Sequence, residues 1–248
     1  MYDAGASLPN GGGAGQLHRT APFPAWDFSP PRWSLRGPDR RHHAVHALHT
    51  MKLERALRGK HLDVWESFAR DIGGAWHAPD SLEAPRIEVP HPRGPLRIEG
   101  NVTWIMTGKV MIPMLSTTFS ALLPATRAQR FSVSRASFAS AVADWFGALD
   151  IHVDDDTFDH AFVLKGETPD LVRELFASAP LRERYLRDFE GQLHRRDDSS
   201  LLGDPTPDAD PFELSVPGYV DTPERMHALW RLFVETLERL PDGARPVT

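Results

Sequence analysis

The run from Arg130 to Gly166 constrains the fold of this chain more than any other stretch. From Phe131 to Ser134 apolar and polar side chains alternate, which is the period of a strand with one buried face. A helix is predicted next, between Ser137 and Gly147, because apolar residues recur there at helical spacing. That apolar stripe consists of Phe138, Ala141, Val142, Trp145 and Phe146. The short apolar run 161–164 then predicts a second strand, buried on both faces.

The longest amphipathic segment of the chain lies near its C-terminus, between Asp221 and Leu240. Its apolar stripe consists of Met226, Leu229, Trp230, Phe233, Leu237 and Leu240. Asp221 and Glu224 have the spacing of a capping box, which predicts Asp221 as the N-cap. A face this broad must be covered, and a sheet is the simplest cover. Three shorter helices are predicted at 61–72, 168–176 and 180–189.

Alternating side chains predict several strands, at 86–89, 96–99, 102–106 and 212–216. The strand 102–106 differs from the others because both of its faces are apolar. Between 110 and 121 the pattern predicts one strand or two, interrupted near Pro113. The short turn at 92–95 favours an antiparallel hairpin. These patterns predict an α+β fold, with a mainly antiparallel sheet, helices packed on one face and the long C-terminal helix across the sheet.

Residues 1–57 differ from the rest of the chain in composition. They contain a glycine run at 11–13 and prolines that interrupt regular structure, at 22, 24, 30, 31 and 38. We therefore predict a flexible tail rich in Gly, Pro and Arg at 1–57, a single domain at 58–242 and a short C-terminal tail at 243–248. Met51 is a second candidate for the first residue of the translated chain.

The composition excludes several kinds of chemistry. The chain has no cysteine, which rules out disulfides, thiolate nucleophiles and Cys-ligated zinc and fits a reducing cytoplasm. The net charge of −6 disfavours nucleic acid as a partner, because phosphate binding requires a basic face. No segment approaches the roughly 20 apolar residues of a membrane span. Phosphate-binding glycine loops, the hydrolase nucleophile elbow and the zinc-protease helix motif are also missing, so neither a cofactor nor a catalytic residue is predicted.

An acidic loop between the predicted central helix and the second strand is the candidate metal site. Its oxygen and nitrogen ligands would be Asp150, His152, Asp154 and Asp156, and clusters of this kind can hold Ca²⁺ or Mg²⁺. The EF-hand template does not fit, because Asp155 stands where that loop requires glycine and Ala161 where it requires a bidentate Glu. The same residues could instead form a solvated turn in which one Asp caps a backbone N–H.

Four histidines form a second candidate cluster, at His42, His43, His46 and His49. On a helix, His46 would share a face with both His42 and His49, a spacing that can bind zinc or nickel. The alternative is a set of unrelated histidines in a flexible segment.

Residues spread over 60–240 form a pattern of aromatic, acidic and glycine positions. They are Trp65, Gly73, Gly74, Ser116–Thr118, Phe131, Arg135, Phe146, Gly147, Asp150, Ile151, Val153, Asp155, Phe158, Asp159, Phe162, Lys165, Gly166, Arg225, Leu229 and Phe233. The pattern resembles a family of bacterial proteins to which no activity is assigned. That family usually has Gly-Asp where this chain has Asp154-Asp155, so we expect a less tightly turned loop here. The resemblance implies a domain and no particular chemistry.

The function expected from these features is non-enzymatic binding in the cytoplasm. The ligand is expected to be a protein partner or a small molecule, held in a concavity between sheet and helix. Neither nucleic acid nor a membrane is expected as a partner. The alternative is a metal-assisted hydrolase that uses the acidic loop 150–159.

Overall fold

The computed structural model describes residues 62–79, 84–107, 110–137, 150–195 and 209–241. Within these residues, eight strands form one antiparallel sheet. The strands are β1 (Ala75–His77), β2 (Arg86–Val89), β3 (Leu96–Thr107), β4 (Val110–Pro124), β5 (Phe131–Arg135), β6 (Phe162–Gly166), β7 (Gln192–Arg195) and β8 (Ala209–Pro217). Their order is β1-β2-β3-β4-β8-β7-β5-β6, so β1 and β6 are the edge strands. The predicted α+β class with a mainly antiparallel sheet is confirmed.

Five helices accompany the sheet in the described residues. They are α1 (Leu62–Asp71), α2 (Asp156–Ala161), α3 (Pro169–Leu175), α4 (Ala179–Asp188) and α5 (Pro223–Arg239). The sheet face that they cover carries a row of directly paired apolar residues, one from each strand. The row consists of Trp76, Ile87, Ile98, Phe119, Leu214, Leu193, Val133 and Leu164. All of these except the half-buried Trp76 are buried, so the row is the floor of the core.

Helix α5 lies across the centre of the sheet, as predicted. The ring of Phe233 lies 5.2 Å from that of Phe212 on β8 and 6.0 Å from that of Phe119 on β4, measured between centroids. On its other side, Thr236 shares a buried hydrogen bond of 3.0 Å with the hydroxyl of Tyr185 on α4. These contacts bury the apolar stripe of α5 between the sheet and α4.

The C-terminal end of α5 is held by an arginine from the β2–β3 turn. Arg93 donates to the carbonyl oxygens of Leu237 at 2.7 Å and Leu240 at 2.6 Å. The last carbonyls of a helix have no partner within the helix and carry partial negative charge, so a guanidinium group satisfies both needs. Arg93 therefore fixes the position of α5 relative to the first strands of the sheet.

A buried ion-pair cluster closes the same end of the core. Arg195 and Asp210 are each 1% exposed, with Arg195 Nε 3.9 Å from Asp210 Oδ2. Arg130 donates to Asp210 Oδ1 at 3.3 Å, and the backbone N–H of Thr126 donates to Asp210 Oδ2 at 2.9 Å. Burial lowers the pKa of Arg195 to about 10, Asp210 opposes that shift, and the nearby guanidinium groups of Arg130 and Arg93 add to it.

The start of α5 differs from the capping-box prediction. The N-cap is Thr222 and not Asp221, and its side chain makes no capping hydrogen bond. Pro223 occupies the first position of the helix, where its fixed φ suits the helix and its missing N–H costs nothing. The acidic spacing alone predicts Asp221 as the N-cap, whereas Pro223 at the first helical position makes Thr222 the N-cap. The helix predicted between Ser137 and Gly147 lies outside the described residues.

Strand β4 corrects the predicted interruption near Pro113. It runs without a break from Val110 to Pro124, with Pro113 paired to Trp104 of β3. Proline is tolerated in a strand at a sheet edge, and no described strand lies beside the outer side of β4 at this point. The pattern at 110–121 is therefore a single strand.

The domain boundaries proposed at 58 and 242 and the tail at 1–57 stay predictions. The described residues all belong to one compact unit, 37–248. In the described ranges, no helix is both long enough and apolar enough to cross a membrane.

Candidate functional site

The acidic loop is tied to the core by its own backbone and by one carboxylate. The N–H of Ile151 donates to the carbonyl of Leu164 on β6 at 2.9 Å, and the Ile151 side chain is buried. Asp155 is the N-cap of α2, and its Oδ1 accepts from the N–H of Phe158 at 3.1 Å. Its Oδ2 accepts from Arg182 Nε of α4 at 2.7 Å. Asp155 therefore caps a backbone N–H, which is the role expected of one Asp in the alternative to a metal site.

A second carboxylate, Asp159, closes the loop from within α2. Its Oδ1 and Oδ2 lie 3.1 and 3.3 Å from the backbone N of Val153, which donates to them. His152 Nδ1 lies 3.7 Å from Asp159 Oδ2. The two carboxylates that organise the loop are thus Asp155 and Asp159, neither of which belongs to the predicted metal set.

Asp154 adopts a backbone conformation that favours glycine. Its φ of 59° lies in the left-handed region, and no other non-glycine residue of the described ranges has a positive φ. Asp adopts this conformation at lower cost than most side chains, because its short polar group can bond to nearby backbone. The expected loosening of the loop relative to the Gly-Asp of the resembled family stays a prediction.

The four predicted metal ligands, Asp150, His152, Asp154 and Asp156, are all exposed. Across the described ranges, no group of three or more His, Asp or Glu side chains is arranged to hold a metal ion. The metal site consequently stays a prediction from sequence, without support from the geometry. The histidines at 42, 43, 46 and 49 lie outside the described residues.

The Asp155–Arg182 contact predicts a pH-dependent stability. The hydrogen bond from Arg182, followed by that from the Phe158 N–H, holds the pKa of Asp155 below its ordinary value. A lowered folded pKa means that the stabilisation is present above the unfolded value and is lost as the pH falls through the folded one. We expect Asp155→Ala to lower the melting temperature at pH 7, and the difference from wild type to shrink below about pH 4.

Asp155→Asn serves as the matched control for that prediction, because its amide oxygen can still cap α2 while the charge is lost. Its melting temperature should lie between those of wild type and Asp155→Ala at pH 7. Melting curves recorded from pH 7 to pH 3 check this order. A deficit of Asp155→Ala that is independent of pH would contradict a role for the charged pair.

The sheet face opposite the helices is polar along two adjacent rows that cross the strands. One row contains Glu88, Arg97, Ser120, Glu213, His194, Ser132 and Lys165. The other contains His77, Arg86, Glu99, Thr118, Ser215, Gln192 and Ser134. Neighbours in these rows bind one another: Glu88 lies 3.2 Å from both Arg86 and Arg97, and His194 lies 3.0 Å from Glu213. Several charged side chains of this polar face are therefore paired with one another.

Glu99 is the residue of the polar face whose ionised form is disfavoured by its surroundings. Burial raises its pKa above the ordinary value, Arg97 and Arg86 oppose the shift, and Glu213 and Glu88 add to it. A raised folded pKa means that ionising Glu99 costs stability as the pH rises through that pKa. We expect Glu99→Gln to raise the melting temperature at pH 7 and to have no such effect near pH 4. Glu88→Gln, which removes the ion pairs to Arg86 and Arg97, should show no gain at either pH; equal gains in both variants would refute this reasoning.

The most distinctive surface is a hairpin that extends past its neighbouring strands. We call residues 101–107 of β3 and 110–115 of β4 the arm. Strand β2 pairs with β3 only at 96–99, and β8 pairs with β4 only at 116–124. From Val102↔Leu115 to Thr107↔Val110, the two strands of the arm pair only with each other among the described residues. The arm is thus a two-stranded ribbon without sheet support on either edge in the described part of the chain.

The root of the arm is fixed by contacts to the loop after β8. The Gly218 N–H donates to the Leu115 carbonyl at 2.8 Å, and the Tyr219 hydroxyl donates to the Gly100 carbonyl at 3.3 Å. The indole of Trp65 on α1 packs on the ring of Tyr219 from the other side, with 6.2 Å between the centroids. A Cβ at Gly100 would come within 3.1 Å of the Tyr219 ring, so this position requires glycine or a shift of Tyr219. The arm therefore leaves the domain from a rigid base.

The arm concentrates the exposed apolar side chains of the described residues. Five large hydrophobic residues are exposed among the described residues. Four of them lie on the arm: Ile105 (46%), Met106 (71%), Ile112 (44%) and Met114 (48%). The fifth, Leu122 (37%), lies on β4 where β8 supports it. From 101 to 116 the sequence has a single charged residue, Lys109. Ile105, Ile112 and Met114 lie on one face of the ribbon, because Ile105 pairs with Ile112 and Met114 with Thr103, and Met106 lies on the other face. Exposed apolar side chains concentrated in this way mark an interaction site.

Comparison of the chain with family models, with curated proteins and with solved structures finds no match in any of the three. The resemblance to the bacterial family accordingly stays a prediction. Within the described part of the domain, the arm is the candidate functional site.

Proposed function

We propose that this domain is a non-enzymatic binding module that contacts a protein partner through the arm. The observation that carries the proposal is the placement of Ile105, Met106, Ile112 and Met114 on an unsupported ribbon. Removing apolar surface from water is favourable by about 25 cal/mol per Å², before the costs of association are subtracted, so covering these side chains would favour a complex. The same residues contribute little to the core, which lies under α5 and the paired part of the sheet.

A protein suits the arm better than a lipid bilayer does. Beyond Gly100 on β3 and before Leu115 on β4, the outer edges of the arm have no strand partner among the described residues. Unpaired backbone N–H and C=O groups cost several kcal/mol each in hydrocarbon, whereas a protein partner can pair with them. The net charge of −6 also disfavours an anionic membrane surface. We place this binding in the cytoplasm, the compartment that the cysteine-free composition fits.

Site-specific photo-crosslinking tests the proposal. A photoreactive phenylalanine derivative would be placed at Ile105 or Met114 in the full chain, in cells that express it. Leu122 is the matched control, since it is an exposed apolar residue outside the arm and lies on β4, as Met114 does. We expect a discrete protein adduct from 105 and 114 and none from 122, with the partner identified by mass spectrometry. Adducts of equal yield at all three positions, or none at 105 and 114, would contradict a binding role for the arm.

A further inference from the structure

We propose that the partner of the arm is a second copy of this chain, paired antiparallel along the outer edge of β3 with the two-fold axis beside Trp104. This inference rests on the proposed function of the arm and adds the identity of its partner. It follows from a difference between the two edges of the arm, from the self-complementarity of one of them, and from the closed assembly that results.

The two edges of the arm are not equivalent. The β4 edge carries Pro113, which has no N–H to offer an incoming strand and is a common means of protecting an edge. The β3 edge runs from Asn101 to Thr107 without a proline, a glycine or a charged residue. It is rich in β-branched and aromatic residues, which favour strands. Of the two edges, β3 is the one suited to receive another strand.

The β3 edge is complementary to itself about Trp104. In an antiparallel pair centred there, Val102 faces Met106 of the second copy, and Thr103 faces Ile105. Asn101 faces Thr107, so polar residues meet at the two ends, and Thr103 is the single polar residue between them. The sequence numbers of each facing pair differ by an even number, and side chains alternate faces along a strand. Each residue therefore meets a partner whose side chain points to the same face of the new sheet. The edge therefore matches its own copy in register, polarity and face.

The resulting assembly is closed. Pairing through β3 joins two arms into a four-stranded ribbon whose outer edges are both β4, and Pro113 blocks further addition there. A two-fold interface in which the same residues meet is the commonest arrangement of soluble oligomers. Edge pairing also brings Ile105 of one arm beside Thr103 of the other, covering side chains that are exposed in the single chain. A dimer is expected, and no fibre.

Native mass spectrometry and light scattering of the full chain test the oligomeric state. Wild type is expected to be a dimer at micromolar concentration. Ile105→Lys should weaken the association by at least about 100-fold, because symmetry places the change twice in one interface. Leu122→Lys, a charge at an exposed position outside the arm, should leave the dimer intact, and the melting temperatures of the two variants at low concentration should agree. A monomeric wild type, or a dimer that survives Ile105→Lys, overturns the proposal.

The register is tested by disulfide formation, for which the cysteine-free chain offers a clean background. Thr103→Cys and Ile105→Cys chains, mixed in equal amounts and oxidised, should form the mixed 103–105 disulfide in excess over either symmetric one, since paired Cβ atoms lie about 4.5 to 5.5 Å apart. Leu122→Cys should not cross-link. Symmetric products in equal or greater yield would refute the proposed register. If the photo-crosslinks from Ile105 instead identify a different protein while wild type is monomeric, self-association fails and the proposed function of the arm stands.

Discussion

Trp65→Ala is expected to lower the free energy of unfolding by about 3 to 5 kcal/mol. Trp65 is 1% exposed and packs between Trp76 of β1 and Tyr219, at centroid distances of 6.5 and 6.2 Å. Its Nε1 donates to the carbonyl of Val220 at 3.0 Å, a buried hydrogen bond that alanine cannot replace. The substitution would leave a cavity at the junction of α1, the edge of the sheet and the loop that enters α5.

Denaturant unfolding with a matched variant measures this loss. Trp230→Ala on α5 is the control, because Trp230 is only partly buried and packs against Phe68 from the surface side of the core. We expect it to cost about half as much as Trp65→Ala, in line with its smaller buried area. A loss below about 1 kcal/mol for Trp65→Ala would mean that the junction can collapse to fill the space or that it is not part of the core.

Asp210→Ala is the second change with a large expected effect, a loss of about 3 to 5 kcal/mol. Asp210 accepts from the Thr126 N–H and from Arg130, and it faces Arg195. Removing its carboxylate leaves the guanidinium group of Arg195 buried without a counter-ion among the described residues, and burial already lowers the pKa of that group. An uncompensated buried charge is far more costly than the net contribution of the pair.

A double-mutant cycle separates the pair from its surroundings. Asp210→Asn removes the charge and retains an oxygen for the Thr126 N–H, while Arg195→Met removes the cation and fills a similar volume. The double variant is expected to be more stable than Asp210→Asn alone, because it no longer buries a lone charge. Strictly additive losses in urea unfolding would show that Arg195 and Asp210 do not interact, contrary to the structure.

Long periodic segments of this fold were predictable from sequence, and short ones were not. The stripe of α5 from Met226 to Leu237 repeats often enough to identify both the helix and its buried face. Strand β7, in contrast, has four residues, and its buried polar residues His194 and Arg195 give no apolar alternation. β1 has only three residues. Such strands exist because neighbouring strands pair with them, which a local pattern does not reveal.

Helix α2 was missed for a related reason. Its six residues contain one buried side chain, Phe158, so no stripe can be recognised. Its start is set by the cap from Asp155, and that carboxylate is positioned by Arg182 from α4, far along the chain. The acidic spacing alone therefore predicts metal ligands here. Only the tertiary contacts show that two of the carboxylates in this region bind backbone N–H groups.

Of the two properties that define the arm, its apolar character and its projection past the neighbouring strands, the sequence predicts only the first. The apolar character of both faces at 102–106 was recognisable, and it is what sets this strand apart. Its projection was not, because it depends on the lengths of other strands: β2 ends its pairing at Glu99, and β8 ends its pairing at Ser116. An apolar strand in the middle of a sheet is core, whereas the same strand beyond its neighbours exposes its apolar side chains and is a candidate interaction surface.

Hydrogen exchange along the arm, followed by mass spectrometry at increasing concentrations of the full chain, is the most direct measurement of all. In the single chain, amides of 101–107 should exchange much faster than those of the central strand β8, because no described strand outside the arm pairs with the ribbon. Protection of 101–107 should then rise with concentration, while that of β8 stays constant. An arm as strongly protected as β8 at every dilution would mean that it is part of the core and would contradict its role as a binding surface.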